Sequence, residues 1–90
     1  MINEYRNAVR DHIARMIKQG KLNQLIVWDV QADEAQDPTL LSLRIYGSRQ
    51  YTDVIQVACG TSGIWEKLPM KRIAVPRIAD VLRLRREYLS

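Results

Sequence analysis

Apolar side chains recur at helical spacing through the first 19 residues of the chain. Their separations are three or four residues, which places them on one face of a helix. They are Ile2, Tyr5, Val9, Ile13, Met16 and Ile17. Gly20 follows the last of them and Lys18 lies in the final turn, both typical of a helix C-terminus. The pattern therefore predicts an amphipathic helix over residues 2–19.

Two later segments have the character of β-strands. Residues 25–30 read LIVWDV, a run of β-branched and aromatic side chains. Residues 70–75 read MKRIAV, and alternation predicts that Ile73 and Val75 face inward. Because proline has no N–H for a sheet ladder, we expect Pro76 to end the second strand.

Two short helices are predicted between these strands. From Leu41 to Ile45 apolar and polar residues alternate, as they would in a strand. Asp37-Pro38 before this segment and Tyr46-Gly47 at its end are instead typical of a helix start and a helix end. We therefore predict a helix over residues 38–46, and a second one over residues 51–58.

The remaining segments are an acidic connection and a basic C-terminus. Residues 31–36, QADEAQ, are predicted to form a solvated loop. Residues 77–89 are predicted to be helical, with Arg83 and Arg86 on the solvent side. The apolar stripe of this last helix is predicted to contain Ile78, Val81, Leu82, Arg85 and Leu89.

Length and composition fit one folded domain. The chain has 90 residues, of which 47% are hydrophobic and 27% charged. It has no apolar run of the roughly 20 residues that cross a bilayer, and its charged beginning is unlike a signal peptide. We therefore expect it to be made in a cytoplasm, with no membrane partner. The single Cys59 excludes an internal disulfide and is predicted to be a buried, inert thiol.

Charge is distributed unevenly along the chain. Residues 1–21 carry five basic and two acidic side chains, a net +3, and residues 77–90 carry four and two, a net +2. Residues 29–37 carry four acidic side chains and no basic ones, a net −4. Basic ends around an acidic middle favour head-to-tail docking between copies or binding to a mixed protein surface, and make nucleic acid an unlikely partner.

No catalytic, cofactor or metal site is legible. The serines have only His12 as a possible base, and it is distant in sequence. The acidic residues 29–37 do not have the spacing of an EF-hand loop. The glycine-rich turn at Gly60–Gly63 lacks the Lys-Ser/Thr ending of a phosphate loop. We expect the protein not to be an enzyme.

The order strand, helix, helix, strand resembles the LysM-type βααβ module. The resemblance rests on Leu41, Arg44, Tyr46-Gly47, Ile55, Ala58, Ile64, Leu68-Pro69 and residues 73–76. It implies an α+β fold in which residues 22–76 form the module. Residues 1–21 are then an N-terminal helical extension, and residues 77–90 a C-terminal basic one.

Among LysM-like proteins, the chain resembles small structural subunits of phage tails and baseplates. Sugar-binding LysM domains usually have Asn where this chain has Cys59, and a glycine where Met70 follows Leu68-Pro69. The resemblance implies an adaptor in the virion that joins tube, sheath or wedge proteins in a symmetric, multi-copy assembly. Its terminal helices are expected to fold onto neighbouring subunits.

The residues expected at such an interface are aromatic and arginine side chains, which are enriched in binding hot spots. Tyr51 and Trp65 are the predicted apolar anchors, and Arg83, Arg85 and Arg86 the predicted charged contacts. Two alternatives stay open. One is a peptidoglycan-binding module in which Tyr51 or Trp65 stacks on an N-acetyl sugar. The other is a small nucleic-acid-binding protein that uses the arginines.

Overall fold

A computed structural model of the chain describes residues 2–60 and 68–89. These residues form a mixed structure of helices and one two-stranded antiparallel sheet, which agrees with the predicted α+β class. The elements are α1 (Ile2–Lys18), β1 (Leu25–Asp29), α2 (Ala32–Gln36), α3 (Pro38–Tyr46), α4 (Thr52–Cys59), β2 (Arg72–Pro76) and α5 (Ile78–Leu89). Short 3-10 helices at Leu22–Gln24 and Arg49–Tyr51 precede β1 and α4.

The two strands pair along their whole length. Leu25 lies opposite Pro76, and Asp29 lies opposite Arg72. Ile73 and Val75 of β2 are buried, so their predicted inward orientation is confirmed. Pro76 is the last residue of β2 and accepts a 2.6 Å hydrogen bond at its carbonyl oxygen from the Tyr46 hydroxyl, which ties the strand to the end of α3.

The predicted helix over residues 38–46 is confirmed. The side chain of Asp37 accepts a hydrogen bond from the Thr39 N–H at 3.1 Å, and Pro38 occupies the first turn. Gly47 ends the helix with a φ of 75°, a conformation that costs glycine little. These end signals outweigh the alternation between them: Leu41 and Ser42 are both buried, whereas Leu43 is exposed.

The prediction of a solvated loop over residues 31–36 is wrong. This segment contains α2, and Glu34 within it is only 1% exposed. The buried carboxylate accepts hydrogen bonds from the Gln31 N–H at 2.8 Å, the Trp28 indole N–H at 3.0 Å and the Arg44 guanidinium at 2.8 Å. Because three donors replace its hydration, an acidic side chain is accommodated inside the protein.

Both terminal helices contribute to the protein's own core. Tyr5 and Val9 of α1 and Val81 of α5 are fully buried, and they pack in one cluster with Ile55 of α4 and Val75 of β2. The expectation that the terminal helices turn their apolar stripes toward neighbouring subunits is therefore wrong for these stripes. The hydrophobic effect favours burial in the same chain because a module of two strands and short helices is too small to enclose a core alone.

The predicted stripe of α5 is buried only in part, because Val81 faces the core while its other apolar members do not. Val81 and Leu84 form the buried face of α5, while Ile78, Leu82 and Leu89 are 38%, 44% and 39% exposed. The packing of α5 against α1 fixes this rotation. As a result, α5 presents apolar side chains on a second face that points to solvent.

Candidate functional site

The exposed face of α5 is the strongest candidate for a binding surface. A shallow groove there is lined by Ala79, Leu82, Arg85, Arg86 and Leu89. We call these residues, together with Ile78, the α5 face. Steps of three and four residues along the helix align its apolar members in one row beside the two arginines. Such a mixture of apolar and arginine side chains is common in protein interfaces.

Arg85 is held in place by an aromatic pair beneath it. Its guanidinium carbon lies 5.2 Å from the centre of the Tyr51 ring and 6.0 Å from that of Tyr5. A carboxylate oxygen of Asp53 lies 3.9 Å from Arg85 Nη1. Cation–π attraction and this ion pair restrict the side chain, so less conformational entropy is lost when a partner contacts it.

Tyr51 itself is not a surface anchor. It is 7% exposed, its ring meets that of Tyr46 edge-on at 5.4 Å, and its N–H donates to the Ser42 hydroxyl at 3.2 Å. It therefore has little surface to offer either a partner or a sugar ring. Its contribution to the α5 face is indirect, since its ring supports the guanidinium of Arg85.

The three predicted arginines fall into two environments. Arg85 and Arg86 line the α5 face, as described above. Arg83 instead forms ion pairs at 3.4 Å with Asp80 and with Glu87 along the same helix, and lines a separate polar cleft. Trp65, the other predicted anchor, lies outside the described residues, as do Ile64 and the Gly63 end of the glycine-rich turn.

The acidic segment is neutralised within the chain. Asp29 pairs with Arg72 at 2.8 Å, Asp33 with Arg44 at 2.9 Å, and Asp37 pairs with Arg49 at 3.4 Å. Hydrogen bonds from Arg72 and Arg44 hold the pKa of Asp29 and of Asp33 below its usual value. Each of these carboxylates therefore has an arginine partner within the chain.

The hydroxyl of Ser42 and the thiol of Cys59 are both buried. The Ser42 hydroxyl is buried and donates to the carbonyl oxygen of Ser48, so it serves the fold. Burial raises the pKa of the Cys59 thiol, although the charge of Lys71 opposes this, and Cys59 is buried as predicted. Within residues 2–60 and 68–89, no three His, Cys, Asp or Glu side chains converge as metal ligands.

Most of the α5 face was indicated by the sequence, and only Ala79 was not singled out. Ile78, Leu82, Arg85 and Leu89 all belong to the apolar stripe predicted for the last helix, and the presence of Arg85 in it is a signal that the face is amphipathic. None of the described helices has the length and apolar character needed to cross a bilayer. Comparison of the chain with protein-family models, with curated proteins and with solved structures gives no match.

Proposed function

We propose that the chain is a non-enzymatic structural subunit of a phage-type tail or baseplate. In this proposal it is an adaptor that joins neighbouring tube, sheath or wedge proteins in a multi-copy assembly within the virion. The observation that carries the proposal is the α5 face, where exposed apolar side chains stand beside Arg85 and Arg86. The LysM-like interpretation is supported by the strand–helix–strand order within Leu25–Pro76, although α2 is an addition to the expected pattern.

The α5 face favours a different protein as its occupant over a second copy of this chain. In a two-fold dimer the same surface meets itself, so the arginines of one copy would lie near those of the other. The chain's own acidic segment already pairs with Arg72, Arg44 and Arg49, so docking onto it would exchange those ion pairs instead of adding new ones. An apolar patch with an acidic rim on a neighbouring tail protein would pack against the leucines and form ion pairs with the arginines.

A site-specific photo-crosslinker tests this proposal in the cell that produces the protein. We would place it at Leu82 in the α5 face or, as a control, at Val27 of β1, which is similarly apolar and 47% exposed. From Leu82 we expect crosslinks to one distinct protein that sediments with assembled particles. From Val27 we expect none to that protein.

Substitutions at the same two positions give the energetic test. Leu82→Ser should lower incorporation of the chain into particles about tenfold, the effect of losing about 1.4 kcal/mol of binding free energy. Val27→Ser should leave incorporation unchanged. A chain that stays monomeric in every fraction, with no Leu82 crosslink, would overturn the proposal. Retention of the purified chain on peptidoglycan, or a salt-sensitive shift of DNA, would favour the corresponding alternative function.

A further inference from the structure

A polar cleft lies between the C-terminal half of α1 and α5, away from the α5 face. Its charged lining comes from three segments: Arg15 of α1, Lys21 of the following turn, and Asp80 and Arg83 of α5. His12 of α1 also lines it. Three permanent cations therefore face one carboxylate in a single cavity.

The turn after α1 positions Lys21 in the lining of the cleft. Gly20 has a φ of 70°, and the Lys21 N–H donates to the Met16 carbonyl at 2.8 Å, so the chain reverses over the last turn of the helix. The Arg77 guanidinium then donates to the carbonyl oxygen of Asn23, which fastens the connection to the start of α5. Lys21 is thereby placed in the lining of the same cleft as Arg15 and Arg83.

His12 gives the cleft a buried polar floor. The residue is 4% exposed, and neither imidazole nitrogen has a hydrogen-bond partner among the described residues. Its Nε2 lies 3.6 Å from the Asp80 Oδ2, too far for a good hydrogen bond but close enough for a charge interaction when the imidazole is protonated. Buried polar groups are normally paired, so an unpaired imidazole facing a charged cavity points to a ligand or a proton that completes it.

The positive charge of the cleft is only partly balanced by ion pairs within the described chain, since Arg83 has carboxylate partners in Asp80 and Glu87. Asp80 is shared between His12 and Arg83, and no ion pair in the described residues includes Arg15 or Lys21. The acidic segment, residues 29–37, is bound to other arginines. An anion from outside the chain is the group that this cavity is suited to hold.

We propose that this cleft binds a phosphate monoester group, whose oxygens are held by Arg15, Lys21 and Arg83 above the imidazole of His12. The planar guanidinium groups match the oxygens of a tetrahedral oxyanion. The convergence of three cations favours a doubly charged phosphate monoester over a singly charged phosphate diester. This site does not include the residues of the α5 face, so the proposal of a phosphate site does not depend on the proposed adaptor function.

Protonation of His12 is coupled to binding at this site. Burial lowers the pKa of His12, the charge of Asp80 raises it, and the charges of Arg15 and Arg83 lower it further. A bound dianion neutralises the two arginines, so it favours the imidazolium, which in turn balances Asp80. By reciprocity, the anion binds more tightly when His12 is protonated.

The chain contains one histidine, so its imidazole proton resonances report on the site without ambiguity. We would titrate the full chain by NMR in inorganic phosphate and in chloride at matched ionic strength. In phosphate the pKa of His12 should rise by about half a unit or more, and a rise of one unit corresponds to tenfold tighter binding to the protonated form. Dimethyl phosphate, a diester, should produce a much smaller rise.

Three variants distinguish a specific phosphate site from nonspecific attraction of anions to a basic protein. Arg15→Gln and Lys21→Gln change exposed side chains and should each weaken phosphate binding about tenfold, because each removes one charged contact. Lys18→Gln removes an exposed charge from the same helix outside the cleft and should have no effect. Equal responses in phosphate and chloride, or equal losses in all three variants, would overturn the proposal. A response to short duplex DNA without one to phosphate would overturn it too.

Discussion

Ser42 connects three parts of the chain through one buried hydroxyl. It donates to the carbonyl oxygen of Ser48 and accepts the Tyr51 N–H at 3.2 Å. Ser42→Ala would leave that N–H buried without a partner, so we expect the free energy of unfolding to fall by about 1–3 kcal/mol in urea titrations. Ser48→Ala is the control, since its hydroxyl accepts only an exposed N–H from Gln50 at 3.3 Å. Equal losses would contradict the bridging role of Ser42.

Glu34 makes stability depend on pH with a definite sign. Burial raises the pKa of Glu34, but hydrogen bonds from Arg44, the Gln31 N–H and Trp28 outweigh burial and leave the pKa below its ordinary value. The unfolded chain then binds the proton at higher pH than the folded one does. The stabilisation from Glu34 is therefore complete above the unfolded pKa of about 4.3 and is lost as the pH falls through the lower folded value.

Glu34→Gln tests this dependence. The difference in unfolding free energy between the natural chain and the variant should be largest above about pH 5.5 and shrink toward pH 3. Asp33→Asn is a matched control, because Asp33 contacts the same Arg44 but is exposed and well screened by solvent. We expect a smaller effect from it. A difference for Glu34→Gln that stays constant between pH 3 and 7 would show that charge plays no part.

At the scale of whole elements, the helices and strands that were predicted correctly are those whose own residues carry a strong start, end or β-branched signal. The Asp-Pro start and the glycine end identify α3, and β-branched runs identify both strands. Helix α2 was missed because five residues are too few to display a period. A Gln31–Glu34 capping box begins it, and contacts of Glu34 with Arg44 and Trp28, from outside the helix, stabilise it further.

The rotation of α5 could not be predicted for a related reason. Apolar residues occupy more than one side of this helix, so the sequence permits either side to face the core. The position of α1 decides between them, and it places Val81 and Leu84 inside. The candidate site shared this ambiguity, since the exposed row is the set of residues that the core leaves out.

Alanine substitutions on the two sides of α5 measure that rotation. Leu84 is 5% exposed and Leu82 is 44% exposed, so the two leucines differ mainly in burial. Leu84→Ala should lower the free energy of unfolding by about 2–4 kcal/mol through lost burial and a residual cavity. Leu82→Ala should cost less than about 1 kcal/mol. If chemical denaturation gives the reverse order, α5 packs through the predicted stripe.

At the scale of the whole molecule, the acidic side chains of residues 29–37 form ion pairs with arginines from other parts of the chain. The acidic residues of the middle segment meet Arg44, Arg49 and Arg72, all from later in the chain. Other basic side chains lie around the polar cleft and on the α5 face. No local sequence pattern indicates this pairing, because the partners are 10 to 43 residues apart.

The same long-range packing predicts that the C-terminal helix is indispensable to the domain. It supplies Val81 and Leu84 to the core and Arg85 to the aromatic pair. Removing residues 77–90 should therefore unfold the chain, whereas removing residues 89–90 should leave it folded. The single Cys59 reports the outcome, because its buried thiol should react slowly with a thiol reagent in the full chain and at the denatured rate after the longer truncation. A protected Cys59 and a cooperative melt after loss of residues 77–90 would instead mean that residues 77–90 are a separable extension, as the sequence predicted.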